Sequence, residues 1–217
     1  MIRMSPSNSR SSGVHDPAVQ WMLIGKKFPH FSTWRSGMSS RRIILIGYRG
    51  TGKSTVGPLL AAKLGWSFVD ADAELEREAG QSIAEIFASE GEAGFRDRES
   101  EILGPLCDRD AVVIATGGGV ILRPANRERL RSAGFVVWLT ATPAVCWERL
   151  QQDSITNNRR PNLTPGGGLA EVEAMLALRE PLYRETAELT LSSEGTSPEQ
   201  LASCIINAYH QRLIENR

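Results

Sequence analysis

The sequence has few cysteines, few histidines and no long hydrophobic run, and each shortage excludes a class of protein. Its 217 residues include three cysteines and three histidines. The cysteines lie far apart and form no Cys-x-x-Cys pair, which argues against a structural zinc site and a thioredoxin-like redox motif. No stretch of about 18 apolar residues occurs, so we expect no membrane-spanning helix.

The chain also lacks net charge, with 25 basic and 25 acidic residues. A balanced chain has no overall basic field to hold a nucleic acid backbone, so we expect no nucleic acid partner. Residues 1–40 differ from the rest because they are basic and rich in serine, with Asp16 as their single acid. This composition predicts a disordered extension, or a start codon assigned too early with Met38 as the natural initiator; a targeting peptide is the alternative.

From residue 41 to residue 217 short apolar segments alternate with helical ones. This order predicts an α/β domain with a five-stranded parallel sheet sandwiched by helices. Ile43–Ile46, for example, is a continuous apolar run that ends at a glycine, as expected for a buried parallel strand. Two stretches interrupt the alternation. Residues 72–107 predict a helical insertion of three short helices, and residues 153–168, rich in Asn, Pro and Gly, predict a mobile lid.

The most specific motif is a glycine-rich segment after the first predicted strand, which we call the phosphate loop. Residues 47–54 read Gly-Tyr-Arg-Gly-Thr-Gly-Lys-Ser and match G-x-x-x-x-G-K-[ST] between a strand and a helix. In such a loop the backbone N–H groups surround phosphate oxygens, the lysine reaches the outer phosphates and the serine ligates Mg²⁺. The chain has no guanine-selecting Asn-Lys-x-Asp and no dinucleotide-binding GxGxxG at this position. The motif therefore predicts an ATP-dependent phosphotransferase or an ATPase.

Acidic and basic residues after the loop are candidates for binding a second substrate. Asp70 and Asp72 follow the second predicted strand, where alternation would direct one toward a metal and the other toward the acceptor, although Asp72 could instead cap the next helix. Arg96 lies three residues before Glu99, close enough to be held by it. An arginine held in this way suits a carboxylate on the acceptor, whereas the alternative is a solvated charged surface.

Glycines and two further arginines complete this candidate set. Gly117–Gly119 follow the third predicted strand and would let a ligand approach the backbone, unless they form a plain flexible turn. Arg160, in the predicted lid, could move onto the transferred phosphoryl group or be a solvated loop residue. Arg179 lies in a helix that we expect Pro181 to interrupt.

Taken in order, these motifs resemble the shikimate kinase family over nearly all of residues 42–215. The matching segments are Gly47–Thr55, Asp70-x-Asp72, Phe95-Arg96 with Glu99, Gly117–Gly119, Arg160-Pro161 and Arg179–Tyr183. The resemblance implies that a cytoplasmic monomer transfers the γ-phosphoryl group of ATP to the 3-hydroxyl of shikimate, in aromatic amino-acid biosynthesis. It also implies one Mg²⁺ per subunit, with ATP as co-substrate.

The resemblance implies a role for each matching residue. Asp72 would bind the shikimate hydroxyls and accept the 3-hydroxyl proton, while Lys53 and Arg160 would act at the transferred phosphoryl group. Asp70 would hold Mg²⁺ through water, beside Ser54. The implied nucleotide-binding residues are Gly50, Thr51, Gly52, Lys53, Ser54, Thr55, Arg149 and Arg160. The implied substrate-binding residues are Asp72, Phe87, Phe95, Arg96, Gly118, Gly119 and Arg179.

The chain departs from the family pattern at two places. Residues 1–40 have no counterpart in compact bacterial members, and the lid stretch is long, so that Arg159 competes with Arg160 for the lid role. Two other functions fit parts of the pattern. One is a kinase of the same architecture with another anionic acceptor, such as a gluconate-kinase-like enzyme, and the other is a nucleotide-binding module without catalysis.

Overall fold

The computed structural model describes residues 40–152 and 168–216, which form a five-stranded parallel sheet covered by helices on both faces. The strands are β1 (Arg42–Ile46), β2 (Ser67–Asp70), β3 (Val112–Ala115), β4 (Phe135–Thr140) and β5 (Leu189–Ser192). The helices are α1 (Lys53–Leu64), α2 (Ala71–Ala79), α3 (Ile83–Asp108), α4 (Pro124–Ala133), α5 (Pro143–Gln152), α6 (Gly168–Thr186) and α7 (Pro198–Glu215), with a 3₁₀ turn at Val120–Leu122. The predicted fold class is confirmed.

Some predictions fall outside this part of the chain. The predicted extension lies outside the described residues except for Ser40. The predicted lid, which contains Arg160, lies outside them except for Gly168. Within the two described ranges, no helix is both long and apolar enough to cross a membrane.

The central strand β1 is apolar on both faces because both faces of the sheet are covered. The strand order is β2-β3-β1-β4-β5. Ile44 and Ile46 pack into a core that includes residues of α2, α3, α4 and α6, whereas Ile43 and Leu45 pack into a core with α1 and α7. Full burial of such a side chain stabilises the fold by about 1.5–3 kcal/mol. The loop that follows β1 therefore starts from a firmly held strand.

The carboxyl ends of β1, β2 and β3 lie at the same edge of the sheet. β1 pairs with β3 on one side and with β4 on the other, so the connections change direction at β1. In open parallel sheets, ligands bind beyond the carboxyl ends of the strands at such a point. Ala115 is opposite both Leu45 and Asp70, so the segments that follow these three residues start close together.

The junction of β2 and α2 differs from the prediction. α2 begins at Ala71, so Asp72 lies in the first turn of a helix and the expectation from strand alternation was wrong. In a continued strand, residues 70 and 72 would also have faced the same side of the sheet. The cap of α2 is Asp70, whose Oδ1 accepts hydrogen bonds from the N–H groups of Asp72 (3.0 Å) and Ala73 (3.3 Å). The alternative in which Asp72 is the cap is therefore also wrong. Both aspartates suit a cap, and the helix begins one residue before the predicted insertion of residues 72–107, whereas β2 ends at Asp70 as expected.

Helices α3 and α6 are longer than expected. The two helices predicted within residues 83–107 are joined in α3 across a kink at Gly91 (φ 69°, ψ −173°). Pro181 lies inside α6 and does not interrupt it. Ala177, four residues before the proline, is exposed, so water can solvate the carbonyl that Pro181 leaves without a donor.

The three thiols differ in burial, and this leads to a prediction. Cys107 and Cys146 are buried, and desolvation raises the pKa of each thiol to about 11, whereas Cys204 is partly exposed. Since the thiolate is the reactive form, we expect a thiol reagent at pH 8 to modify Cys204 first in the native protein. The time course of absorbance during reaction with dithionitrobenzoate measures this, with Cys204→Ser as the control that should remove the fast phase. Rapid reaction of all three thiols without denaturant would contradict it.

Candidate active site

The phosphate loop has a backbone that requires glycine at several positions. Gly47 (φ 142°), Gly50 (φ 77°) and Gly52 (φ 90°) all have positive φ. A Cβ atom on Gly47 would lie 2.4 Å from the carbonyl oxygen of Leu139, and one on Gly50 would lie 2.8 Å from that of Cys146. Because both contacts are with backbone atoms, they cannot relax cheaply. The glycines of the motif are thus fixed by the geometry of the loop.

Lys53 begins α1 and holds the backbone of the loop. Its side chain is largely buried, and its Nζ donates hydrogen bonds of 2.8 Å to the carbonyl oxygens of Gly47 and Tyr48. Thr51 Oγ1 also donates to the Tyr48 carbonyl, at 2.8 Å. No side chain caps α1, because its N-cap is Gly52. A cation beside an uncapped helix N-terminus is a suitable arrangement for binding phosphate.

Ser54 and Asp70 are joined by a hydrogen bond beside the loop. Ser54 Oγ donates to Asp70 Oδ2 at 2.9 Å, while the other carboxylate oxygen caps α2, so the carboxylate is held from two sides. Mg²⁺ takes oxygen ligands and keeps several waters, so it needs few protein ligands when a nucleotide supplies phosphates. Across the described residues, no cluster of three or more His, Cys, Asp or Glu side chains could hold a metal. The Ser54–Asp70 pair fits a Mg²⁺ that phosphate and water hold for the most part.

Arg96 is buried on α3, with carboxylates and aromatic rings around it. Its Nη1 donates to Glu99 Oε2 at 2.7 Å and its Nη2 to Glu92 Oε1 at 3.2 Å. The guanidinium lies 5.1 Å from the ring of Phe95, which stacks on Phe87 with centroids 4.7 Å apart. The prediction that Glu99 holds Arg96 is confirmed. The solvated-surface alternative is wrong, because the two residues are only 7% and 5% exposed.

Arg179 is equally buried, on α6, but its contacts are longer. Its Nη1 donates to the carbonyl oxygen of Gly118 at 3.4 Å, and its Nη2 lies 3.9 Å from Met175 Sδ. Within the part of the chain that the structure describes, Nε of Arg179 and Nε of Arg96 have no hydrogen-bond partner. Buried donors of this kind are normally satisfied, and a carboxylate is the usual partner of a guanidinium.

Gly118 and Gly119 bring the two arginines together beside the phosphate loop. A Cβ atom on Gly119 would lie 2.3 Å from Nη1 of Arg96, so the guanidinium packs directly on the glycine. The neighbouring carbonyl, of Gly118, accepts from Arg179. A Cβ atom on Gly118 would lie 3.4 Å from the carbonyl oxygen of Gly47 in the phosphate loop. Two cations from separate helices therefore meet at one buried turn next to the loop.

Arg149, on α5, contacts the phosphate loop at a different point. Its Nη1 donates to the carbonyl oxygen of Gly50 at 3.0 Å and to Ser193 Oγ at 2.8 Å, and its Nη2 donates to the Ser193 carbonyl at 3.0 Å. These bonds connect the loop to the residue that follows β5. The nucleotide-binding role that the resemblance implies for Arg149 stays a prediction.

Three further residues that pack around the loop have no signature in the sequence motifs. Tyr48 is fully buried, and the guanidinium groups of Arg49 and Arg179 lie 5.8 and 5.7 Å from the centroid of its ring. Arg49 Nη2 also lies 3.9 Å from Oε1 of Glu171, whose side chain is 4% exposed. The motif leaves positions 48 and 49 open, so it could not indicate them. The one available signal was an aromatic and a cation inside a loop of small residues.

The geometry indicates the class of protein. The phosphate loop shares its edge of the sheet with a buried turn at which two cations meet, and two buried guanidinium groups suit a small anionic acceptor. This arrangement defines a P-loop kinase whose acceptor is a small anionic molecule.

Comparisons with known proteins identify the kind of kinase. A family model described as shikimate kinase matches residues 49–210. A shikimate kinase from Rhodopirellula baltica is 45% identical over 168 residues, which are 77% of this chain and 90% of the relative. A structure of the Acinetobacter baumannii shikimate kinase in complex with shikimate aligns with a TM-score of 0.73 at 38% identity, over 83% of this chain and 96% of that one. The chain belongs to the shikimate kinase family.

A more distant structure bears on the gluconate-kinase-like alternative. A gluconokinase from Sinorhizobium meliloti aligns with a TM-score of 0.50 at 17% identity, over 84% of this chain. At that identity the likeness shows a shared fold and nothing about the acceptor. The family match and the relatives near 45% identity favour shikimate.

Proposed function

We propose that this chain transfers the γ-phosphoryl group of ATP to the 3-hydroxyl of shikimate, giving shikimate 3-phosphate and ADP. The observation that carries the proposal is the meeting of Arg96 and Arg179 at Gly118 and Gly119, beside the phosphate loop. Shikimate is a small carboxylic acid with three hydroxyls. Its carboxylate would accept from the Nε groups of the two arginines, and its ring would lie along the glycines.

On the nucleotide side, the proposed task of the chain is to position and neutralise phosphates. Residues 50–55 would hold them through the loop and the start of α1, with Lys53 at the transferred group. Phosphoryl transfer has a loose transition state with charge on the outer oxygens, so cations at that point lower the barrier. Ser54, and Asp70 through water, would hold Mg²⁺, which when bound supplies further positive charge. Arg149 is proposed to contact adenine.

On the acceptor side, Asp72 is proposed to bind the shikimate hydroxyls and to accept the proton of the 3-hydroxyl. It lies in the first turn of α2, directly after β2, whose neighbour β3 leads into the glycine turn. This position supports the proposal, because β2 and β3 end at the same edge of the sheet and the arginines meet at the turn after β3. The stacked rings of Phe87 and Phe95 would form a wall of the pocket.

A coupled assay of ADP release tests this function. We expect turnover that requires ATP, Mg²⁺ and shikimate together, and none when gluconate replaces shikimate. ADP release that does not depend on shikimate would contradict the proposal, and turnover with gluconate would favour the other acceptor. The same assay on a chain that starts at Met38 tests the predicted extension. A monomeric, cytoplasmic enzyme stays a proposal from the resemblance, which sedimentation and cell fractionation can test.

Arg96→Lys is expected to raise KM for shikimate about tenfold or more, because lysine keeps the charge but loses the planar fork that binds a carboxylate. KM for ATP should stay within about twofold of wild type, since the change removes acceptor binding alone. Steady-state kinetics with each substrate varied in turn measures both. Arg98→Lys is the matched control, because Arg98 lies on the same helix but is partly exposed and pairs with Glu90. An equal effect of both variants would argue against a carboxylate at Arg96.

The role of Arg160 rests on the motif, since this residue lies outside the described ranges. Arg160→Ala is expected to lower kcat at least about tenfold, because a lid arginine stabilises the charge of the transferred phosphoryl group. Arg159→Ala, one position earlier, is the matched control and should retain most of the activity. The reverse result would assign the lid role to Arg159. Single-turnover kinetics at saturating ATP and shikimate would separate this effect from binding.

A further inference from the structure

The carbonyl oxygen of Gly118 accepts hydrogen bonds from two residues of α6. Tyr183 donates to it through its hydroxyl, and Arg179 donates through Nη1 at 3.4 Å. The two residues are four positions apart, so they lie one above the other on the same helix face. A carbonyl oxygen has two lone pairs, and both bonds can therefore exist together.

Tyr183 is held firmly in place. It is fully buried, and its ring stacks on the indole of Trp138 in β4, with centroids 5.6 Å apart and an angle of 19° between the planes. Burial raises the pKa of its hydroxyl above the ordinary value, so the group stays protonated and remains a donor at physiological pH. The Tyr183 hydroxyl is thus a fixed donor to the Gly118 carbonyl.

Arg179, in contrast, depends on neighbours that hold it weakly. Its contacts include the 3.4 Å bond to Gly118, the 3.9 Å contact with Met175 Sδ, the ring of Tyr48 at 5.7 Å and the nearby hydroxyl of Tyr183 itself. A bond of 3.4 Å is at the long limit for an N–H donor and a carbonyl, so a small displacement of the Gly118 carbonyl would break it and release that end of the guanidinium.

We propose that Tyr183 is a positioning residue for the acceptor: by fixing the Gly118 carbonyl, it orients Arg179 so that Nε faces the carboxylate of the second substrate. The inference rests on the proposed function, and on the role of Arg179 in particular. According to this inference, Tyr183 affects the binding of the acceptor and does not affect the binding of the nucleotide.

Tyr183→Phe removes the hydroxyl and keeps the ring that stacks on Trp138. We expect KM for shikimate to rise about three- to tenfold, which corresponds to the loss of one hydrogen bond. KM for ATP and kcat should stay within about twofold, because the lost contact holds substrate and transition state equally. Tyr209→Phe is the matched control. Tyr209 is also buried and donates to the backbone carbonyl of Ser40 at 3.2 Å, in the core that contains α7, so its loss should leave both KM values unchanged.

A double-mutant cycle with Arg179→Ala separates positioning from a purely structural role. If Tyr183 acts through Arg179, adding Tyr183→Phe to Arg179→Ala should not lower kcat/KM for shikimate any further. The inference is overturned if the two effects add, if both KM values rise together, or if Tyr183→Phe behaves like Tyr209→Phe. Absence of shikimate turnover in the wild type would instead contradict the proposed function. An unchanged KM for shikimate in Arg179→Ala would contradict the role of Arg179. In either case this inference would fail as well.

Discussion

Asp72→Asn is expected to lower kcat about 10²- to 10⁴-fold, the range typical of removing a general base, while ATP binds nearly as in the wild type. Asparagine has the shape of aspartate but cannot accept the proton of the 3-hydroxyl. The backbone N–H of residue 72 donates to Asp70 Oδ1, and this bond does not depend on the side chain. The position of the residue should therefore be retained. Steady-state turnover gives kcat, and titration calorimetry with ATP gives the nucleotide affinity.

Glu78→Gln is the matched control for this prediction, because it is also a change from acid to amide on α2. Glu78 is about half exposed and contacts Arg77, so its replacement should leave kcat unchanged. A kcat of Asp72→Asn close to that of wild type would mean that the hydroxyl loses its proton to another group. A loss of ATP affinity would instead place Asp72 on the nucleotide side of the site.

Lys53→Ala is expected to lower kcat/KM for ATP about 10³-fold, because the transferred phosphoryl group loses its nearest cation from the loop. The variant also removes the donor that holds the carbonyls of Gly47 and Tyr48. The loop should therefore bind phosphate less well for a second reason, because its backbone loses these hydrogen bonds as well as the charge of the lysine. Steady-state kinetics with ATP varied measures the loss, and circular dichroism at increasing temperature checks that the fold is retained.

Two further variants determine what Lys53 contributes. Lys63→Ala is the control, because Lys63 is an exposed residue in the last turn of the same helix and should have no effect. Lys53→Arg keeps the charge but replaces a compact ammonium by a wide fork, so it should restore only part of the activity. Activity of Lys53→Ala within about tenfold of wild type would show that another cation acts at the transferred group.

Local signals in the sequence were sufficient to predict much of the fold. Ile43–Ile46 was predicted as a buried strand, and the structure extends it by one residue. Ser82 with Glu85, and Ser197 with Gln200, have the three-residue spacing of a capping box, and both boxes are present in the structure. The start of α2 was predicted less well, because Asp70 and Asp72 are equally good caps and the pairing of β2 with β3 decides between them.

The candidate site was predicted where one segment contains the whole pattern. The phosphate loop and the Arg96–Glu99 pair each lie within a few residues, so their chemistry could be inferred from spacing. The contacts of Tyr183 could not, because its partner Gly118 is 65 positions away in the sequence. Glu171 was missed for the same reason, since its ion pair with Arg49 joins α6 to the loop.

The backbone carbonyl and the ring of Tyr48 contact different parts of the site, and this has a consequence for designing inhibitors. Its carbonyl accepts from the lysine of the phosphate loop, and its ring faces the arginine proposed to bind the acceptor's carboxylate. The donor and acceptor halves of the cleft are thus separated by little more than one amino acid. A compound that fuses a nucleotide mimic to a cyclohexene acid would need only a short tether, and analogues with long, pliant spacers should bind more weakly because of the freedom they lose.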